Sequence, residues 1–215
     1  MRILIPAYFY PGPIWDTLIE TASDGVSVII NPNSGPGALY SDNYGRLCVQ
    51  LRKRGIDMLG YVATGWGERP MIKVHSDIDT YRLFYGIQNT FLDEAATSPE
   101  KRDYYGEFYR DSLGMVILNP GTIPDESYTE VSEVLVIFED SLATHKIAKF
   151  PSWLRQHPRD KFAQIVHTCP KAGEMRKALA RIKPVAGWAY VTDDVVPNPY
   201  DSLPGYWREE LKVTK

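Results

Sequence analysis

Cysteine is scarce in this chain. Cys48 and Cys169 are the only two in 215 residues, and they fall in different predicted elements. A disulfide scaffold is therefore excluded, and two buried free thiols are expected rather than a bridge or a metal pair. Long apolar runs are missing too: none approaches the roughly 20 residues that a membrane helix needs. There is no surplus of basic charge. Lys and Arg number 24 against 27 Asp and Glu, a net charge of −3, so there is no electrostatic footprint for nucleic acid or anionic lipid. The N-terminal MRILIPAYFYPG is apolar but short, lacks a small-residue cleavage pattern and breaks at prolines. It reads as a first strand and not as a signal peptide. A cytoplasmic protein is expected from the sequence as written, and a secreted one if it is a mature form.

Familiar catalytic signatures are also missing. There is no GxSxG elbow and no P-loop, and the four histidines show neither HxH nor HExxH spacing. No lysine sits at a predicted strand end in a way that suggests a Schiff base. Neither cofactor nor metal is implied, and a monomer is expected.

What is present is a globular composition, 44% hydrophobic and 24% charged, with a heavy polar-aromatic load of 14 Tyr and 5 Trp. The length suits one domain with a sizeable core. Strand and helix patterns alternate. Short apolar runs at 2–9, 26–30, 56–62, 88–92, 114–118, 134–138, 162–167 and 185–191 read as strands. Between them fall helical spacings such as Trp15, Leu18, Ile19 and Ala22, with Gly25 expected just past the helix end. Tyr44, Leu47, Cys48 and Leu51 repeat the spacing, followed by Gly55. A short helix is expected from about 76 to 84, with Asp77 and Asp79 near its start as caps. Ser98-Pro99-Glu100 marks another helix start, and Met175, Ala178, Leu179 and Ile182 another helix, with Thr168 or a near neighbour as its cap. Eight such units predict parallel pairing with right-handed crossovers, and so a compact single-domain (β/α)₈ TIM barrel over 1–215. The rival, an open doubly wound sheet, usually carries a Gly-rich phosphate turn after its first strand; here that strand runs into Tyr8-Phe9-Tyr10-Pro11-Gly12.

Active sites of such barrels are built from the C-terminal strand ends and the loops after them. The eight ends in turn offer Tyr8 and Tyr10; Asn31 and Asn33 in NPNSGPG; Tyr61, Thr64 and Trp66; Asp93 and Glu94; Asn119 in NPGT; Glu139 and Asp140; His167 and Thr168; and Trp188, Tyr190, Thr192, Asp193 and Asp194. The helix-to-strand loops, DG, RG and KP, are plainer. A single terminal acid is readily explained as a helix cap. Two strand ends that each finish in a carboxylate pair point to function. Because neighbours on a strand face opposite ways, one acid of each pair should face the barrel axis. Carboxylates and aromatics at one mouth are the equipment of glycoside hydrolysis, in which one carboxyl protonates the leaving oxygen and the other attacks the anomeric carbon or activates water. Trp66 and Trp188 read equally as packing or as sugar platforms, and His167 as a structural or ligand-contacting residue.

The motifs IPAYFYPG, VIINPNSGPG, LGYVATGWG, IDTY with FLDEAA, VILNPGT and VIFED follow one another as in the spherulin 4 (spherulation-specific family 4) proteins, placed in glycoside hydrolase family 135. The resemblance covers about residues 3–140 and runs more weakly to Tyr190. It implies a (β/α)₈ barrel and endo-hydrolysis of α-1,4-linked N-acetylgalactosamine polymers such as galactosaminogalactan. Carried over by motif, the functional acids are Asp93 as nucleophile, Glu139 as general acid/base and Glu94 as a supporting acid. An N-acetyl group of the substrate is the alternative nucleophile, with Asp93 orienting it. The chain is shorter than the fungal members. Two other readings stand beside this one: a non-catalytic glycan-binding or coat protein, and a metal-dependent hydrolase or lyase using Asp93, Glu139 and His167.

Overall fold

The computed structural model describes residues 1–22 and 24–214. Its centre is a closed barrel of eight parallel strands in sequence order: β1 (Arg2–Ala7), β2 (Val26–Ile30), β3 (Asp57–Ala63), β4 (Asn89–Asp93), β5 (Val116–Leu118), β6 (Val134–Ser141), β7 (Phe162–His167) and β8 (Trp188–Val191). Around it lie α1 (Pro13–Thr21), α2 (Asp42–Lys53), α3 (Met71–Tyr85), α4 (Arg102–Arg110), α5 (Leu142–Ile147), α6 (Ala172–Ile182) and α7 (Trp207–Thr214). After β5 the connection is a 3-10 turn, Glu126–Glu130, in place of a full helix. The predicted barrel is the observed one.

The strands are near-continuous apolar runs because both faces are covered: β2 is buried at all five positions and β1 at five of six. The helices bury one stripe each, such as Met175, Ala178, Leu179 and Ile182 in α6. Helix and sheet approach closely at Gly60 of β3, where a Cβ would stand 2.6 Å from the Tyr81 ring of α3. Tyr81 crosses that gap and donates its hydroxyl to the carbonyl of Ile30, at 2.8 Å.

Several boundaries differ from the sequence reading. Helix α1 ends at Thr21 with Ala22 as its cap. Gly25 instead sits in the turn into β2, where its carbonyl accepts from Ile3. Helix α3 starts at Met71 and not near 76, because its buried stripe, Val74, Ile78, Tyr81 and Tyr85, begins a turn earlier. The exposed Ile72 and Leu83 blur that stripe in the sequence. Asp77 and Asp79 therefore lie inside the helix and pair with Arg69 and Arg82. The cap of α6 is Lys171, three residues past Thr168. Strand β6 runs on to Ser141, and its register with β7 shifts between Val136 and Phe138. This bulge re-aims the strand just before its acids. Strand β8 is only four residues long and pairs with β1 at two positions, Arg2 with Trp188 and Ile3 with Ala189.

Candidate active site

The C-terminal mouth holds an open cleft of about 480 Å³ lined by Tyr8, Asp93, Glu139 and two loop walls. One wall is Asn31, Pro32, Asn33 and Ser34 after β2. The other is Pro197, Asn198, Pro199 and Tyr200 after β8. Asp93 is the last residue of β4, and Glu139 lies near the end of β6.

Asn119, the first residue past β5, joins the two acids. It is buried, and its side-chain nitrogen donates to Oδ1 of Asp93 at 2.7 Å and to Oε2 of Glu139 at 2.6 Å. Two bonds from one nitrogen limit the separation of those oxygens to 5.3 Å, the sum of the two lengths. The turn after Asn119 fixes its aim. The Gly121 N–H donates to Asn119 Oδ1 at 3.0 Å, and the Gly121 carbonyl accepts from the backbone of Glu139 at 2.9 Å. Gly121 does this at φ 65°, a left-handed conformation that favours glycine. A three-residue turn thus ties the end of β5 to the acidic end of β6.

The second acid of each pair faces away from the cleft. Glu94 turns towards the loop after β3, where its Oε2 accepts from Gly65 N–H at 3.3 Å. Glu94 also has a left-handed φ of 51°. The strain is held by buried Thr64, whose Oγ1 donates to the carbonyls of Asp93 and Glu94 at 2.9 and 2.8 Å. Tyr105 extends this network by accepting from the Ala96 N–H at 2.7 Å. Asp140 accepts from the N–H of Ser141, whose side chain caps α5. An apolar strand can therefore run into paired acids at each of these ends, because one acid enters the cleft and the other accepts from a backbone N–H, Gly65 of the neighbouring loop for Glu94 and Ser141 for Asp140.

Three tyrosines surround the pair. Tyr61 hydrogen-bonds Asp93. Tyr200 donates its hydroxyl to Glu139 Oε1 at 2.5 Å. Tyr8 packs edge-on against both, with centroids 5.7 Å from Tyr61 and 5.6 Å from Tyr200. Burial raises the carboxyl pKa of Asp93, opposed by hydrogen bonds from Tyr61, the Glu94 N–H and Asn119. Burial also raises that of Glu139. The Tyr200 and Asn119 bonds oppose the rise, and the charge of Asp93 adds to it. Both carboxyls are thus pushed up by burial and held back by donors, and the charge of Asp93 adds to the rise at Glu139 alone.

The remaining sequence candidates spread over the barrel. Tyr10 and Trp66 are exposed on rim loops, Tyr10 held by Asn43 at 2.6 Å. Trp66 is left-handed at φ 54° and donates its N–H to the Glu94 carbonyl at 2.7 Å. His167 lies outside the cleft lining, its Nδ1 2.8 Å from Thr168 Oγ1, so the set Asp93, Glu139 and His167 is not brought together. Among the described residues no cluster of three His, Cys, Asp or Glu is placed to hold a metal. Trp188 and Tyr190 need correcting. Trp188 opens β8 at the opposite end of the barrel, buried, with Nε1 on the Asp160 carbonyl and Arg2 over its ring. Tyr190 is wholly buried and does not line the cleft. The sequence reading extended β8 too far towards its N-terminus and treated interior residues as its end. It also missed Tyr200. The available signal was the third Asn-Pro pair: Asn31-Pro32, Asn119-Pro120 and Asn198-Pro199 all stand at this mouth.

Fold and site define a parallel (β/α)₈ barrel with a half-buried, bridged carboxylate pair in an open C-terminal cleft. The chain belongs to spherulation-specific family 4, whose model matches residues 2–214. It is 37% identical over 233 residues to Spherulin-4 of Physarum polycephalum, covering 99% of this chain and 70% of that protein. Among solved structures it is similar to Aspergillus clavatus Sph3, crystallised in complex with GalNAc. The TM-score is 0.88 at 28% identity, over 99% of this chain and 96% of that one.

Proposed function

We propose that this protein is a glycoside hydrolase that cleaves an α-1,4-linked polysaccharide containing N-acetylgalactosamine, within the chain, by a retaining two-carboxylate mechanism. The observation that carries this reading is the Asn119 bridge, which holds one oxygen of Asp93 within 5.3 Å of one oxygen of Glu139. Retaining glycosidases keep their two carboxyl groups about 5–5.5 Å apart, whereas inverting ones leave about 6.5–9.5 Å for a water. The open cleft between two loop walls suits internal binding of a chain. The likeness to a protein crystallised with GalNAc supports the choice of sugar.

In the first step Asp93, ionised, forms a bond to the anomeric carbon as the bond to the glycosidic oxygen breaks. Glu139 delivers its proton to that leaving oxygen. In the second step Glu139, now a carboxylate, takes a proton from water, and the water oxygen displaces Asp93. Asn119 serves both states by donating to whichever oxygens carry charge. Tyr8 and the Asn31 and Asn33 side of the cleft meet the sugar, and Trp66 offers a ring face further along the chain. Glu94 supports Asp93 through the backbone they share.

The test is hydrolysis of a partially N-acetylated α-1,4-galactosamine polymer, with products sized by mass spectrometry. Wild type is expected to release oligosaccharides. Asp93→Asn and Glu139→Gln should each lose about 10²–10⁴ in kcat while still binding the polymer. Binding by folded wild type with no release would overturn the catalytic reading and leave a glycan-binding or coat protein.

A further inference from the structure

The loop after β8 carries the only hydroxyl that reaches Oε1 of Glu139 among the described residues, and the same four residues form one wall of the cleft. Its tyrosine is seated on several sides. The Tyr200 carbonyl accepts from the Tyr8 backbone at 3.1 Å, and the Tyr200 N–H donates to Asn198 Oδ1 at 3.2 Å. Its buried ring stands edge-on to Tyr8. Tyr8 in turn stands edge-on to Tyr61, which bonds Asp93. Three rings therefore run in contact from one acid to the other, alongside the Asn119 bridge.

We propose that Tyr200 is the positioning residue of Glu139: its hydroxyl pins one carboxyl oxygen while Asn119 pins the other, so that the group that gives and takes the proton is set by the same loop that walls the substrate. This inference rests on the two-carboxylate reading. With both oxygens held, the carboxyl plane cannot turn, and the proton of Glu139 leaves along a fixed direction into the cleft. The two states of Glu139 use Tyr200 unequally. A phenol buried beside two carboxyl groups keeps its own proton, its pKa raised by burial and by Glu139. It therefore always donates, and a donor favours the carboxylate over the acid. Tyr200 matters most in the second step, where Glu139 must be ionised to accept a proton from water. In that step Asp93 is bonded to the sugar and carries no charge, so without the hydroxyl burial acts on Glu139 with only Asn119 opposing it.

Tyr200→Phe keeps the ring and its contact with Tyr8 and removes the hydroxyl alone. The first measurement is a carbon-13 NMR titration of the Glu139 carboxyl, assigned by its loss in Glu139→Gln, in wild type and in Tyr200→Phe. The midpoint should rise by roughly one to two pH units, tenfold to a hundredfold in ionisation constant. The second is the pH profile of kcat on the polymer. Its alkaline limb should move up with the NMR midpoint, and the maximal kcat should fall with little change in KM. A merely structural tyrosine would lower activity at all pH values and leave the midpoint in place. An unmoved or lowered Glu139 midpoint in a folded Tyr200→Phe overturns the proposal. A wild type that binds the polymer but never cleaves it would defeat the glycosidase reading, while the NMR titration would still decide the role of Tyr200.

Discussion

Glu210 of α7 is a carboxylate buried away from the cleft, and burial is the largest influence on its acidity. It is fully buried; Oε1 accepts from the Val191 N–H at 2.8 Å, and Oε2 has no partner among the described residues. Burial pushes its pKa up to about 8. A folded pKa above the ordinary 4.5 means that the unfolded chain gives up its proton first as pH rises. Stability is therefore lost between roughly pH 4.5 and 8, and is level beyond that. Glu210→Gln keeps the acceptor for Val191 and removes the titration. Its melting temperature should match wild type near pH 4 and exceed it increasingly towards pH 8, as read by calorimetry across that range. A constant offset at all pH values would mean that Glu210 is not protonated in the folded protein. Asp93 and Glu139 are less buried than Glu210, and hydrogen-bond donors oppose the rise at both. The acids were legible in the sequence because charge at the end of an apolar strand stands out. Tyr200 was not, since it is one of 14 tyrosines and lies 61 residues from the group it serves.

At the scale of elements, the site is a set of strand ends held by the loops beside them. The end of β4 depends on Thr64 of the neighbouring loop, whose one hydroxyl is shared between two part-buried carbonyls at a left-handed Glu94. Thr64→Val is close in shape and removes the hydroxyl, leaving each carbonyl only its backbone donor, Thr64 N–H on Asp93 and Trp66 N–H on Glu94. It should cost about 0.5–1.5 kcal/mol in denaturant unfolding. It should also lower kcat more than it raises KM, because the aim of Asp93 changes while the cleft walls stay. An unchanged unfolding midpoint would show that these carbonyls do not need Thr64. Periodicity found the strands and most helices because each buries a regular stripe. It failed where regularity ends: at the β6 bulge, at the short β8 that put Trp188 and Tyr190 on the wrong list, and at α3, whose exposed Ile72 and Leu83 imitate a buried face. Bulges and strand ends are set by neighbouring strands, which local patterns do not record.

Over the whole molecule, the barrel brings together residues that the sequence keeps far apart: Tyr8, Asp93, Asn119, Glu139 and Tyr200 come from five different strand ends. The fold was readable because eight alternating units leave few ways to close a parallel sheet. The direction of the strands then placed Tyr8, Asn31, Asn33, Asp93 and Glu139 at one mouth. The distance between the acids was not readable, since it depends on how far strands β4 and β6 lie apart across β5 and on the Asn119 side chain between them. That distance carries the central claim. The measurement that tests it most directly is time-resolved proton NMR of the anomeric signals released from the α-1,4-linked polymer. With the acids bridged inside 5.3 Å, the first new reducing ends should be α and should convert to the β form only later by mutarotation. Reducing ends that appear first as β would contradict the retaining pair.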